Sequence, residues 1–286
     1  MKLLRVGEFG AERAAVLVEE GRYVDVSDVI GDVDAAFWAG GGPAALAPVV
    51  AERVAAGQVA DLGSQRVGAP IARPHQILCI GLNYADHAAE SGAAAPDEPV
   101  LFTKSPNTLV GPNDTVHIPR GSEKTDWEVE LGIVIGARAR YLQDEAAAEA
   151  VIGGYLTAHD VSERAFQIER GGQWSKGKSA ETFNPAGPYL VTPEEAGDVR
   201  NLRLWLTVNG EPKQDGSTKD MIFSPTFIVH YLSQFMVLEP GDLINTGTPA
   251  GVGMGKSPQE WLAPGDVVEL GVEGLGSQRQ DVIAAP

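Results

Sequence analysis

The sequence predicts a mixed α+β fold: a β-sheet roll with short peripheral helices and a small N-terminal unit. Three observations carry this. Glycine (34) and proline (19) recur along the 286 residues, which favours short strands and tight turns over long helices. From Gln76 onward, short apolar runs alternate with Gly, Pro, Asn and Asp. Those runs show no regular alternation with helical segments, which argues against a doubly wound parallel sheet.

Residues 1–70 read as the N-terminal α+β unit. Leu3-Leu4-Arg5-Val6, Ala15-Val16-Leu17-Val18 and Tyr23-Val24-Asp25-Val26 are strand-like, with Glu20-Gly21 as the turn between the last two. An Ala-rich segment over 43–58 reads as a helix, and Ile71-Ala72-Arg73-Pro74 as a linker into a domain spanning 71–286. There, strands are expected over 76–81, 129–135, 204–208, 243–246 and 267–272. Helices are expected over 84–91, 144–151 and 226–235.

Composition narrows the function. The hydrophobic fraction is 43% and the charged fraction 21%, those of an ordinary globular protein. The net charge is −17, from 39 acidic and 22 basic residues, which argues against a nucleic-acid partner. An acidic protein also repels anions, so an anionic substrate requires a local basic patch. Cys79 is the single cysteine and sits in an apolar run, the setting of a small buried hydrophobe. Charged residues interrupt the first residues, and no run approaches the ~20 apolar residues of a membrane span. A cytoplasmic protein with no membrane partner is the expectation.

The most informative stretch is Asp126-Trp127-Glu128-Val129-Glu130-Leu131, followed by an apolar run. In a strand, Asp126, Glu128 and Glu130 share one face, and three converging acids repel one another unless a cation or protons intervene. A solvated acidic edge strand fits the same pattern. A second apolar run, from Tyr155 to His159, ends in Asp160. Glu128, Glu130 and Asp160 are therefore the candidate metal ligands. Oxygen donors without thiolate or clustered histidine suit Mg²⁺, Mn²⁺ or Ca²⁺ over Zn²⁺.

His87 and Glu90 stand i, i+3 on the expected helix, where a carboxylate could orient an imidazole acting as general base. A surface helix carries such a pair by chance often enough that the spacing alone decides nothing. Gly92-Ala93-Ala94-Ala95-Pro96 follows as a candidate lid hinge. Arg164, Arg170, Lys176 and Lys178 form the local positive patch, although an ordinary solvated loop reads the same way. Residues 247–257 end in Gly255-Lys256-Ser257, like a phosphate loop, but Ala250 stands where the first glycine is required and no long helix can follow. A backbone-amide cradle for a carboxylate, near the hydroxyls of Thr246 and Thr248, is the remaining reading.

In order, these pieces resemble the fumarylacetoacetate hydrolase superfamily over about residues 76–280. The matching pieces are Gly81-Leu82-Asn83-Tyr84 through Glu90, Phe102-Thr103-Lys104, Glu128-Val129-Glu130-Leu131, Asp160, Lys178, and Gly241-Asp242 through Gly253. Segments 118–128 and 160–172 look most like the 2,4-diketo-3-deoxy-L-fuconate and L-rhamnonate hydrolases of sugar-acid catabolism. Residues 178–183 depart from the family pattern. The resemblance implies a mixed β-roll, a homodimer, and Mg²⁺ or Mn²⁺ on Glu128, Glu130 and Asp160. It further implies His87 and Glu90 as a water-activating dyad and Lys178 as an active-site lysine. Arg164, Gln167 and Lys104 match substrate-contacting positions, and Thr248 a position near the substrate carboxylate.

The expected activity is metal-dependent hydrolysis of a C–C bond in a small anionic 2,4-dioxo acid, a diketo-deoxy sugar acid or an acylpyruvate. The alternatives are oxaloacetate decarboxylation, isomerisation or hydration of an unsaturated 2-oxo acid, and ureidoglycolate lyase activity. A metal-stabilised binding protein and a Mg²⁺-dependent phosphoryl-transfer enzyme are the readings from other classes.

Overall fold

The computed structural model describes residues 1–286 except Ser91 and Ala93. At its centre is the strand Val129–Ile135, every residue of which is buried. Leu131, Ile133 and Ile135 join one apolar cluster, while Val134 joins another on the opposite face. A strand buried on both faces has no solvated side to fill with polar residues, hence the near-continuous apolar run after Glu130. It pairs antiparallel with Ile152–His159 on one side and with Leu243–Asn245 on the other. Ile77–Gly81 lies parallel beyond Leu243–Asn245, and Val100–Lys104 closes that end of the sheet.

Among the described residues this mixed sheet has eleven strands. The N-terminal strands Lys2–Val6, Arg13–Glu19 and Arg22–Asp25 belong to it, because Lys2–Val6 pairs with Leu190–Val191 and that strand touches Ile152–His159. Packing follows the same continuity: Leu3, Val16, Trp38 and Leu46 share a cluster with Ile77, Leu156 and Leu243. The Ala-rich helix is Gly42–Ala55.

A second sheet holds Val116–Ile118, Arg203–Val208, Glu211–Ser217, Val267–Val272 and Ser277–Ala284. Its Leu204, Leu206, Val268 and Leu270 pack with Leu131 and Ile133. Each such side chain, fully buried, contributes ~1.5–3 kcal/mol, so the sheet-on-sheet contact resists any slip of the central strand. A one-residue slip would turn Glu128 and Glu130 to the other face. The expected helices are short: Ala85–Glu90, Glu145–Glu149 and Pro225–Ser233. The last starts with proline in its first turn, and the Ser224 side chain accepts from Phe227 N–H as its cap. The helix expected over 84–91 and the hinge expected over 92–96 include Ser91 and Ala93, which lie outside the described residues.

Cys79 is fully buried in the sheet, and burial pushes its thiol up, away from the reactive thiolate. Among the described residues no helix is long and apolar enough to cross a membrane.

Candidate active site

Sheet register brings the three acids together. Val129 stands opposite His159, so the residues before and after them are neighbours, and Asp160 N donates to Glu128 O at 3.0 Å. Carboxylate oxygens of Glu128, Glu130 and Asp160 then lie within 4.8 Å of one another, and all three residues are buried. Burial, followed by the charges of Asp160 and Glu128, pushes the Glu130 carboxyl well up. Burial works against ionised Glu128 too, but Lys178 and Arg164 outweigh it and hold that carboxyl below the usual range.

Asp126 leaves this group. The strand expected to run unbroken from 126 breaks at Trp127 and Glu128, and Thr125–Asp126 pairs with Ser162–Glu163 instead. Its carboxylate accepts from Trp127 N–H, Gly253 N–H and Met254 N–H, and from Arg164 Nε at 2.8 Å. Asp126 thus ties the late glycine loop to the arginine.

The expected basic patch divides. Lys178 and Arg164 are buried: Lys178 Nζ is 2.8 Å from Glu128 Oε2 and 2.8 Å from Asp160 Oδ2, and Arg164 Nη2 is 2.7 Å from Glu128 Oε1. Arg170 and Lys176 stay at the surface, where the Arg170 guanidinium stacks over Phe166. Lys104 is a correction to its expected place among the substrate contacts. Its ammonium is fully buried behind Asp160, donating to that carboxylate and to Val161 O, and it does not line the cavity. Phe102, two residues earlier on the same strand, does line the cavity, so it is the bonds to Asp160 and Val161 O that keep the Lys104 ammonium out of it.

The donor set fits a hard divalent cation: three buried carboxylates within reach of one ion, with neither thiolate nor imidazole among them. Glu128, Glu130 and Asp160 could hold it, and Gly247 N–H fixes Glu130 Oε2 from behind at 2.8 Å.

The helix Ala85–Glu90 puts His87 Nδ1 3.9 Å from Glu90 Oε1, close but short of a hydrogen bond. Both atoms are buried without a hydrogen-bond partner among the described residues. Burial lowers the His87 pKa, so the neutral, proton-accepting imidazole is favoured. Burial raises Glu90, against the pull of Gly251 N–H on its Oε2 at 2.7 Å.

The late loop does cradle carboxylates, but they are the protein's own. Gly247 N–H donates to Glu130, Gly251 N–H to Glu90, and Gly253 and Met254 N–H to Asp126. Those amides are taken by the protein's own side chains and are not free for a substrate. The nearby hydroxyls are taken as well: Thr246 donates to Leu131 O, and Thr248 donates to Val129 O while accepting from Gln214 Nε2. Gln214, which no sequence motif marks, anchors the loop to the ligand strand, since its Oε1 also accepts from Val129 N–H at 3.0 Å.

A cavity of about 250 Å³ opens onto this assembly, lined on its polar side by His87, Glu128, Glu130, Arg164, Gln167 and Lys178. Thr248 also lines it. Gln167 Oε1 accepts from Arg164 Nη1 at 3.0 Å. Phe102 and Trp174, which sequence reasoning assigned no part in the site, supply much of the apolar side.

Comparison with known proteins gives the family. A Burkholderia multivorans protein, named no more specifically than as a hydrolase, is 48% identical over the whole of both chains. The solved fumarylacetoacetate hydrolase of Exiguobacterium antarcticum is 36% identical with a TM-score of 0.83, covering all of both chains. The 2-hydroxyhepta-2,4-diene-1,7-dioate isomerase of Mycobacterium marinum is 31% identical with a TM-score of 0.77, over 99% of this chain and 98% of that one. The family model described as fumarylacetoacetate (FAA) hydrolase C-terminal matches residues 76–283. The chain belongs to the fumarylacetoacetate hydrolase family.

Proposed function

We propose that the protein is a divalent-metal-dependent hydrolase that cleaves the C–C bond of a small 2,4-dioxo acid, a diketo-deoxy sugar acid or an acylpyruvate. One observation carries this reading. Glu128 and Glu130 of the carboxylate triad line the same cavity as His87, a group of different chemical use, and Asp160 completes the triad within 4.8 Å of them. Mg²⁺ or Mn²⁺ is the proposed ion, because both take hard oxygen donors in octahedral sites. When bound, it supplies Lewis-acid polarisation of the substrate's carboxylate and 2-oxo oxygens.

The residues divide the remaining work. Glu90 orients His87, and His87 takes a proton from a water that attacks the C4 carbonyl. The C3–C4 bond breaks, its electron pair passes to the pyruvate half, and C3 is protonated while C4 becomes a carboxylate. Two of the three Lys178 N–H donors are held by Glu128 and Asp160, which leaves the third for the developing oxyanion. Charge supports an anionic substrate. Asp126, Glu128, Glu130 and Asp160 stand against Arg164, Lys178 and Lys104, so a divalent ion leaves this buried set with one positive charge in excess.

The sugar-acid alternative rests on the likeness of segments 118–128 and 160–172 to the diketo-deoxy-fuconate and rhamnonate hydrolases. A homodimer, with no nucleic acid or membrane partner, completes the proposal. Isomerisation of an unsaturated 2-oxo acid is the second reading, favoured by the similarity to the Mycobacterium marinum isomerase. Turnover in ¹⁸O-labelled water separates the two. Hydrolysis puts one solvent oxygen into the acid released from the C4 side, and a released acid without label, or isomerised substrate, would refute it.

A further inference from the structure

We propose that Phe102 and Trp174 form a partition that limits the length of an apolar tail on the substrate. This rests on the reading of the site as one for 2,4-dioxo acids, and it favours an acyl tail over a polyhydroxylated one.

The two rings meet edge to face, with centroids 5.3 Å apart at 60°. Both line the catalytic cavity, and both also line a groove of about 550 Å³ on the outer side. The groove is floored by Val100, Leu101 and Thr103, from the strand at the end of the sheet, and walled by Gly171, Gly172 and Gln173. The rings therefore stand between two spaces that a longer molecule could otherwise occupy together. Phe102 reaches back to the chemistry, with Lys178 Nζ 5.0 Å from its ring centroid.

Trp174 is seated by a glycine. A Cβ at Gly81 would lie 2.5 Å from Trp174 Cζ3, so the indole can rest against the strand Ile77–Gly81 only because position 81 has no side chain. The ring is thereby held across the cavity.

The chemistry of the wall selects the tail. Besides the two rings, Leu82, Ile168 and Met254 line the cavity. Of the polar groups, Arg164 and Thr248 are already engaged with Asp126, Glu128, Val129 and Gln214, and Lys178 keeps one N–H beyond its bonds to Glu128 and Asp160, the one assigned to the reacting end of the substrate. A hydroxyl moved from water against the two rings, Leu82, Ile168 and Met254 loses its hydrogen bonds, whereas a methylene there gains from burial. Burial of one methylene is worth about a fourfold gain in affinity.

The test uses unbranched 2-oxoalkanoates of increasing chain length, which lack the 4-oxo group and so bind without C–C cleavage. Dissociation constants are measured by calorimetry on the Mn²⁺-loaded protein. Affinity should rise about fourfold per methylene and then stop rising once the tail meets the rings. In Trp174→Ala the rise should continue through longer tails, and in Trp174→Phe it should stop near the original length. Gly81→Ala, which pushes the indole outward, should extend the rise as well and serves if Trp174→Ala does not fold. A series without chain-length dependence, or one that stops at the same length in the native protein and both enlarging variants, would overturn the partition. So would tighter binding of a polyhydroxylated 2-oxo acid than of the alkyl acid of equal length. Cleavage of a short acylpyruvate is followed in parallel. Its absence alongside an intact chain-length dependence would overturn the hydrolase reading and leave the partition standing.

Discussion

Lys178 Nζ stands 2.8 Å from Glu128 Oε2, an ammonium from a short helix closing on a carboxylate just before the central strand. The same nitrogen is 2.8 Å from Asp160 Oδ2, so one cation neutralises two of the three proposed metal ligands. Burial opposes the charge on Lys178, but Asp160 and Glu128 more than offset it and keep the lysine protonated. Lys178→Met should therefore destabilise the metal-free protein by about 3–5 kcal/mol, the usual cost of stranding a buried charge. Added Mn²⁺ should restore part of that loss. Urea unfolding with and without Mn²⁺ measures both effects.

Glu130→Gln should act in the opposite sense. It removes one of three mutually repelling carboxylates, yet the amide oxygen can still accept from Gly247 N–H. The metal-free protein should melt at the same temperature or higher. The native protein should gain about 2.7 kcal/mol from Mn²⁺ at a hundred times its Kd, and the variant should lose most of that gain. Thermal melts across a Mn²⁺ titration give both readings, and an unchanged metal response would remove Glu130 from the ligand set.

His87→Ala should lower kcat by about 10²–10⁴-fold, the range for a general base, while metal affinity stays as in the native protein. Calorimetric Mn²⁺ titration beside steady-state kinetics checks the two halves. Equal loss of both would sink the assigned role.

The pH profile follows from burial of the imidazole. His87 works as a base only when neutral, and its pKa is lowered from the ordinary value of about 6.5, first by burial and despite the opposing field of Glu128. Activity should thus hold at neutral pH and fall only as pH drops below the ordinary histidine range. An acid limb of kcat/KM above about 6.5 would contradict the assignment.

Much of the site was legible because strand geometry carries it. Glu128 and Glu130 share a face by alternation, and Asp160 directly follows the next strand, so an antiparallel pairing that sets Val129 opposite His159 was enough to unite them. Lys104 was misplaced because the Asp160 carboxylate that holds its ammonium is 56 residues away, a contact that local pattern does not encode. The role of Asp126 was hidden for a similar reason. Its partners Gly253 and Met254 are 127 and 128 residues away. Arg164 and Lys178 stood out as basic residues in an acidic chain, but only the family resemblance, not the charge pattern, separated them from Arg170 and Lys176, which remain in solvent. The pairing of the first strand with Leu190–Val191 was likewise beyond any local signal.

The most direct test of metal-dependent hydrolysis is pyruvate release from a panel of 2,4-dioxo acids, with oxaloacetate included, after EDTA treatment and readdition of Mg²⁺ or Mn²⁺. Cleavage of a 2,4-dioxo acid should vanish with EDTA and return with either ion, with weak action on oxaloacetate. Turnover that ignores the metal would contradict the carboxylate site, and dominant oxaloacetate turnover would contradict the water-activating role of His87 and Glu90.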